Sequence, residues 1–305
     1  MNPKLAHSTQ PASMRPFFAV WTGQVFSLLG SELVQFALVW WLTTTTGSAM
    51  VLALATMAAV LPRVFVSPIA GALVDRWNRR LVMMVADGLS ALTIVVLAAL
   101  VALDAVQVWH VYAVMFVRAA CAAFHWPAMQ ASTTLMVPEQ HLARVAGLNQ
   151  ALQGLGAIVA PPLGALLLAA LPMQGVLVID VATAILAIVP LLFVHVPQPE
   201  RTEAAAQDPR PSMVADMREA LHFLRAWPGI LMIIAIAVLV NFLIFPALSL
   251  QPLLVTRHFH GDVLQLAWLQ SAFGVGMVSG GITLSVWGGL ERRSLTGLLA
   301  LALSG

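Results

Sequence analysis

Polar side chains recur on one face of an apolar run near the start of the chain. A helix turning about 100° per residue brings four of them within about 80° of arc, namely Gln24, Ser27, Ser31 and Gln35. Glu32 lies at the edge of this stripe. A carboxyl group inside an apolar helix is costly to leave charged in lipid, so Glu32 is a candidate for binding and releasing protons in a wet cavity. The alternative is a glutamate fixed by a neighbouring amide or arginine for structure alone.

Arg118 lies about ten residues into a later apolar run. Arginine does not lose its proton in proteins, so Arg118 would tune a nearby carboxylate, with Glu32 as the possible partner. His125 follows two turns later on the same face and either joins this network or packs as an ordinary core residue. We therefore predict that Glu32 and Arg118 carry proton coupling.

Residues 71–80, here called the inner turn, place one acid and three arginines between two apolar runs. Asp75 could accept hydrogen bonds at the start of the following helix, and Arg76 and Arg79 could pair with acids on neighbouring helices in one of two conformations. The alternative is a charge cluster that only keeps this turn in the cytoplasm. Asp87 follows closely enough to join the group. The predicted gate residues are Gly71, Asp75, Arg76, Arg79, Arg80 and Asp87.

Two more ionisable residues fall within apolar runs. Asp180 is expected near the outer end of its run, where its carboxylate would reach water. Arg63 follows Pro62 and is expected to extend toward the membrane surface or to line a cavity.

The composition excludes a soluble protein. Of the 305 residues, 60% are apolar and only 9% are charged, whereas soluble domains carry about 25% charged residues. Crossing a bilayer takes about 20 apolar residues. Eight such runs are present, at about residues 17–42, 50–74, 81–103, 108–130, 147–171, 174–196, 229–254 and 264–287.

The net charge of +2 shows no excess of positive charge that would indicate a nucleic-acid partner. The single cysteine excludes an internal disulfide and a cysteine-built metal site, so we expect no metal or other cofactor. The expected partners are the lipid bilayer and small molecules.

Lysine and arginine indicate the orientation, because cytoplasmic loops are enriched in them. With the N-terminus inside, twelve of the fifteen lie in inner segments, and Arg257 alone lies in an outer loop. Arg63 and Arg118 lie within the spans. We therefore predict a multi-pass protein of a bacterial inner membrane with a cytoplasmic N-terminus.

The organisation predicts two membrane halves. A cytoplasmic segment of residues 1–16 precedes a six-span half of residues 17–196, a polar, proline-rich linker of residues 197–228 and a second half of residues 229–305. The run that begins at Leu295 is only about half as long as a span. We therefore expect the second half to be incomplete and the chain to be truncated at its C-terminus.

The inner turn resembles the loop motif of the major facilitator superfamily. The matching residues are Gly71, Leu73, Asp75, Arg76, Arg79 and Arg80. Asn78 stands where the family usually has glycine, and asparagine is the next best residue for a left-handed turn. The segment Trp21 to Gln24 and the pair Trp40 and Trp41 resemble the macrolide-efflux and siderophore-exporter branch. The resemblance implies an all-α bundle that exports drugs or metabolites using protons, and an arginine like Arg118 that takes part in proton transfer.

The fifth run resembles the antiporter motif of exporters in this superfamily. Its residues are Gly147, Gly156, Ala160, Pro161 and Gly164. Three of them, at positions 156, 160 and 164, form a small-residue stripe that lets a neighbouring backbone approach closely. Taken alone, such a stripe is better explained by ordinary helix packing, but together with the inner turn it favours an exporter over an importer.

The sequence thus predicts a proton-coupled exporter of amphiphilic, macrolide-like molecules, an antiporter that confers drug resistance and is a monomer when complete. The alternatives are a siderophore or metabolite exporter and a truncated membrane protein that acts through a partner. No nucleotide-phosphate loop, His-Glu-xx-His motif or Ser-His-Asp arrangement indicates an enzyme. The predicted substrate cavity contains Gln24, Ser31, Gln35, Asn241 and Gln270.

Overall fold

The computed structural model describes residues 14–194, 196–198 and 227–287. Most of the predicted linker, the first thirteen residues and the run that begins at Leu295 lie outside these ranges. The described elements are all helices, and eight are long and apolar enough to cross a membrane, which confirms the predicted all-α membrane architecture. They are α1 (Arg15–Thr46), α2 (Ala49–Val74), α3 (Arg79–Ala102), α4 (Val108–Met136), α5 (Glu139–Ala170), α6 (Met173–Phe193), α7 (Pro228–Leu253) and α8 (Val263–Trp287), with a π-helical turn at Leu254–His258 between the last two.

Local chemistry sets several helix ends. Gly47 has φ of +56°, and its N–H donates to Thr43 O at 2.9 Å, which ends α1 as a left-handed C-cap. Ser48 then caps α2, because its hydroxyl accepts from the Val51 N–H at 3.4 Å. Helix α5 continues through Pro161 and Pro162 without interruption.

The first six helices pack into one bundle. Helix α1 lies against α5 and α6, while α4 lies against α2 and α3. Two glycines of α1 allow α6 to come close: a Cβ at Gly23 would lie 2.6 Å from Leu186 O, and one at Gly30 would collide with the Thr183 hydroxyl. Apolar clusters fill both ends of this bundle, one containing Phe17 and Met83 and the other Leu38. The middle is left for polar side chains.

Helix α8 crosses α5 through small residues. A Cβ at Gly274 would lie 3.0 Å from backbone atoms of Ala157, and the Ser271 hydroxyl donates to Ile158 O at 2.7 Å. A buried apolar cluster continues this seam and includes Phe36 of α1 and Leu266 of α8. The first bundle therefore contacts the second group of helices mainly through α5.

Candidate functional site

A cavity of about 370 Å³ lies among α1 to α6, a volume within the range of small-molecule sites. We call it the polar cavity. It lies between the apolar cluster that contains Phe17 and Met83 and the cluster around Leu38. Its lining includes Gln24, Ser27, Ser31, Glu32, Gln35, Arg63, Asp87, Arg118, Cys121, His125, Asn149 and Asp180.

The polar stripe predicted on the first span faces this cavity along its whole length. All five of its members, including Glu32, line the cavity. The two residues predicted from the second half do not: Asn241 is exposed on α7, and Gln270 is half-buried on α8. All lining residues come from the first six helices, and α8 packs on α5 at Gly154, Ala157 and Ile158.

Arg118 forms an ion pair with Asp180. Its Nη1 lies 2.6 Å from Asp180 Oδ2, and the Asp180 side chain is only 3% exposed. The Ser31 hydroxyl donates to Asp180 Oδ1 at 3.4 Å, so the pair joins α1, α4 and α6. The expectation that Asp180 reaches water at the membrane surface is wrong, because the helix places its carboxylate inside the bundle.

Glu32 is exposed to the polar cavity. The positive charges that act on its carboxyl group are those of Arg63 and Arg118, which line the same cavity. Among the described residues, Glu32 takes part in no hydrogen bond or ion pair, since Arg118 is held by Asp180. At this level the cavity therefore contains one carboxylate that is paired, Asp180, and one that is open to exchange with water, Glu32.

Asp87 belongs to the polar cavity rather than to the inner turn. Its Oδ2 accepts from Gln24 Nε2 at 3.0 Å, and its Oδ1 lies 3.4 Å from His125 Nε2. These contacts correct the prediction that Asp87 forms a gate cluster with Arg76 or Arg79. Two turns of α3 carry it from the inner turn into the cavity.

The arginines of the inner turn connect the start of α3 to α4 and α6 by hydrogen bonds. Arg79 is only 8% exposed and donates to Ala131 O of α4 at 2.8 Å, with Asp75 3.8 Å away. Arg80 donates to Leu192 O in the last turn of α6 at 2.6 Å, which satisfies a carbonyl that the helix end leaves free. The predicted arginines therefore bind backbone carbonyls. Of the remaining gate residues, Gly71 lies within α2 and Arg76 is exposed.

Asn78 differs from the prediction made for it. Its φ of −69° and ψ of 110° are extended, not left-handed, and its side chain accepts from the Leu81 N–H at 3.2 Å. It is the N-cap of α3, the role expected of Asp75. Asp75 instead ends α2.

The antiporter-like residues divide into two groups. Gly156, Ala160, Pro161 and Gly164 are buried on α5. A Cβ at Gly156 would touch Leu29 at 4.0 Å, and one at Gly164 would lie 2.9 Å from the Phe36 ring, so the stripe faces α1. Gly147 is exposed, with open space around it.

Comparison with known proteins agrees with this architecture. The profile of the Major Facilitator Superfamily matches residues 20–305. The chain belongs to the major facilitator superfamily. Macrolide efflux protein A of Streptococcus pyogenes is 34% identical over 279 residues, which cover 92% of this chain and 68% of the relative. The protein of the same name from Enterococcus faecalis is 33% identical, over 82% of this chain and 76% of the relative.

A more distant relative widens the comparison within the superfamily. The multidrug efflux pump Tap of Mycolicibacterium fortuitum is 29% identical over 89% of this chain and 67% of the relative. The predicted resemblance to the superfamily and to its macrolide-efflux branch is thereby confirmed. This superfamily consists of membrane transporters rather than enzymes.

Several contacts of this superfamily member were not predicted. The Trp21 indole donates to Asn149 Oδ1 at 2.7 Å, which closes α1 onto α5 beside the polar cavity. Arg118 lies ten positions after the start of α4 and Asp180 seven positions after the start of α6, and both helices begin at the same side of the bundle, so the sequence indicated a similar depth for the two residues but not their contact. Nothing in the spacing indicated the contact between Trp21 and Asn149.

Proposed function

We propose that the chain acts in proton-coupled export of amphiphilic, macrolide-like small molecules from a bacterial cell, and so contributes to drug resistance. The names of the relatives in Streptococcus and Enterococcus support this substrate class. The polar cavity also supports it, since apolar walls with a few convergent polar groups suit an amphiphilic ligand.

The proposal rests on the surroundings of the Glu32 carboxyl group. It is a carboxyl group at mid-depth in a membrane helix, exposed to a cavity, while the second carboxylate beside it is neutralised by Arg118. A proton from outside would bind the Glu32 carboxylate, and release of that proton on the inside would restore the anion. Arg118 would contribute by neutralising Asp180, which leaves Glu32 as the carboxyl group at this level that exchanges protons.

Alternating access would proceed by rocking of the half at residues 17–196 against the half at residues 229–305, joined by the linker of residues 197–228. The contact of α5 with α8 is suited to such movement, since it is made of small residues such as Gly154 and Gly274. In this scheme the polar cavity opens to the cytoplasm, the N-terminus is cytoplasmic, and the complete transporter is a monomer of the inner membrane.

The inner turn and the antiporter-like stripe have separate roles in this scheme. Gly71, Asp75, Arg76, Arg79 and Arg80 form the gate, in which Arg79 and Arg80 hold the cytoplasmic ends of α4 and α6 together so that the first half moves as a unit. The buried stripe on α5 maintains close packing against α1 while α8 moves along its own contact with α5.

Efflux from cells tests the proposal. Cells that express the protein are loaded with erythromycin or ethidium, and efflux is followed with and without a protonophore and after ATP depletion with the proton gradient maintained. We expect efflux to stop with the protonophore, to continue without ATP and to be lost in Glu32→Gln.

The matched control is Glu139→Gln, which neutralises an exposed carboxylate at the start of α5, away from the cavity. It should leave efflux unchanged. Efflux by Glu32→Gln equal to that of the wild type would remove Glu32 from the mechanism, and efflux that persists with the protonophore would exclude proton coupling.

A further inference from the structure

Three helices meet at the carboxylate of Asp87. Gln24 of α1 donates to Oδ2 at 3.0 Å, and His125 of α4 places Nε2 3.4 Å from Oδ1. The Asp87 side chain is 11% exposed and that of His125 is 19% exposed. This group lies in the polar cavity, but it is separate from the pair of Arg118 with Asp180.

The contact between Asp87 and His125 is incomplete. His125 Nε2 is buried, and within the described part of the chain no group makes an aligned hydrogen bond to it. One amide donor leaves most of the acceptor sites of an ionised carboxylate unused. A second proton on the imidazole would turn this close approach into a charge-assisted hydrogen bond. The geometry is thus that of a site ready to accept a proton.

The position of the site separates it from Glu32. His125 follows Arg118 by seven residues of α4, and Gln24 precedes Glu32 by eight residues of α1, so the two levels are about 10–12 Å apart along the helices. Both levels open to the same cavity. The level of His125 is nearer the end of the bundle at which α1 begins.

We propose that Asp87 and His125 form a second proton-binding site, which lies on the cytoplasmic side of Glu32 in the polar cavity. A hydronium ion gives its proton to the imidazole nitrogen and leaves as water, and the imidazolium is held by the Asp87 carboxylate. Return of the proton to water regenerates the neutral imidazole. This inference deepens the proposed function and rests on it for the transport step only.

The charged and titratable groups around His125 come from five helices. They are Glu32 on α1, Arg63 on α2, Asp87 on α3, Arg118 and Cys121 on α4, and Asp180 on α6. Helix α5 contributes only neutral groups such as Asn149. Asp87 is the charged group in direct contact with His125. Arg118 and Asp180 neutralise each other.

Nuclear magnetic resonance tests the site without any substrate. The protein is labelled with ¹⁵N-histidine, purified in detergent and titrated from pH 5 to 9, and His125 is identified among the eight histidines as the signal missing in His125→Asn. We expect the His125 signal to pass from imidazolium to neutral imidazole within this range, also in Glu32→Gln. A signal that keeps one form throughout would overturn the proposal.

Asp87→Asn gives an independent identification if His125→Asn does not fold. Removing the adjacent carboxylate should displace the titration of one histidine by about one pH unit or more and leave the others in place. If no histidine responds, Asp87 is not the partner of a proton site and the proposal fails.

The proton stoichiometry of transport provides a separate test of the site. In proteoliposomes, the membrane voltage at which net ethidium transport stops gives the number of protons exchanged per ethidium. We expect it to fall by one in His125→Asn and to be unchanged in His110→Asn, a histidine at the start of the same helix. An unchanged number in His125→Asn would contradict the proposal. Absence of transport by the wild type would instead refute the proposed function, and the resonance result would stand.

Discussion

Arg118 and Asp180 meet inside the first bundle, with 2.6 Å between Nη1 and Oδ2. Their side chains are 12% and 3% exposed, and Ser31 adds a hydrogen bond from α1. The pair therefore joins three helices at the level of Glu32. It also explains why Glu32 is left to exchange with water, since the nearby guanidinium of Arg118 is already committed.

Breaking this pair on one side should cost more than removing it altogether. Asp180→Asn leaves a buried, uncompensated guanidinium and should lower the free energy of unfolding by about 3–5 kcal/mol. The double variant Arg118→Met with Asp180→Leu removes both charges and should lose clearly less. Unfolding in mixed micelles compares the wild type, Asp180→Asn and the double variant. A double variant less stable than Asp180→Asn would show that the pair contributes to stability beyond mutual neutralisation.

The N-cap at Asn78 predicts an order of stabilities. Asn78→Ala removes the acceptor for the Leu81 N–H and should cost about 1 kcal/mol, whereas Asn78→Gly should cost only a few tenths, because glycine is tolerated at N-caps. The midpoint of thermal unfolding in detergent distinguishes the two. Equal losses would mean that the α2–α3 turn depends on Asn78 for some contact other than the cap.

The close approach of α1 to α6 depends on Gly23. A Cβ there would lie 2.6 Å from Leu186 O, which is backbone and cannot move alone, so Gly23→Ala should cost about 1–3 kcal/mol. Gly88→Ala on α3 is the control, since a Cβ there meets nothing within 4 Å. It should be neutral or slightly stabilising because alanine is the better helix former. The comparison is made by thermal unfolding, and similar losses would contradict this explanation.

The polar stripe of the first span was predictable because helical periodicity fixes which side chains share a face. Its residues needed no knowledge of the neighbouring helices, and all of them line the cavity. The helices themselves were equally predictable, since a bilayer requires long apolar runs whose backbone groups are hydrogen-bonded within the helix.

Contacts between helices were not predictable in this way. Periodicity gives the face on which Asp87 or Asp180 lies but not the helix that covers that face, so the partners His125 and Arg118 were missed. The same ambiguity misplaced Asn241, whose depth in an apolar run suggested the cavity. At Asn78, one residue type suits both a left-handed turn and an N-cap, and only the backbone decides between them.

The antiporter-like residues include one position that is sterically critical, Gly164, and one that is not, Gly147. A Cβ at Gly164 would lie 2.9 Å from the ring of Phe36, which is only 6% exposed, so the ring has little room to move away. Gly164→Ala should therefore reduce stability by about 1–3 kcal/mol and reduce efflux with it. Gly147→Ala should change neither, because the space around Gly147 is open.

The second substitution Phe36→Leu provides the decisive comparison. It removes the ring atoms that the new Cβ would meet and should restore part of the stability and efflux of Gly164→Ala. Efflux of ethidium and the thermal unfolding midpoint are measured on the same preparations. If Gly147→Ala abolished efflux at normal stability, the antiporter-like residues would act through a surface other than the contact of α5 with α1. If Phe36→Leu gave no recovery, the ring would not be what limits position 164.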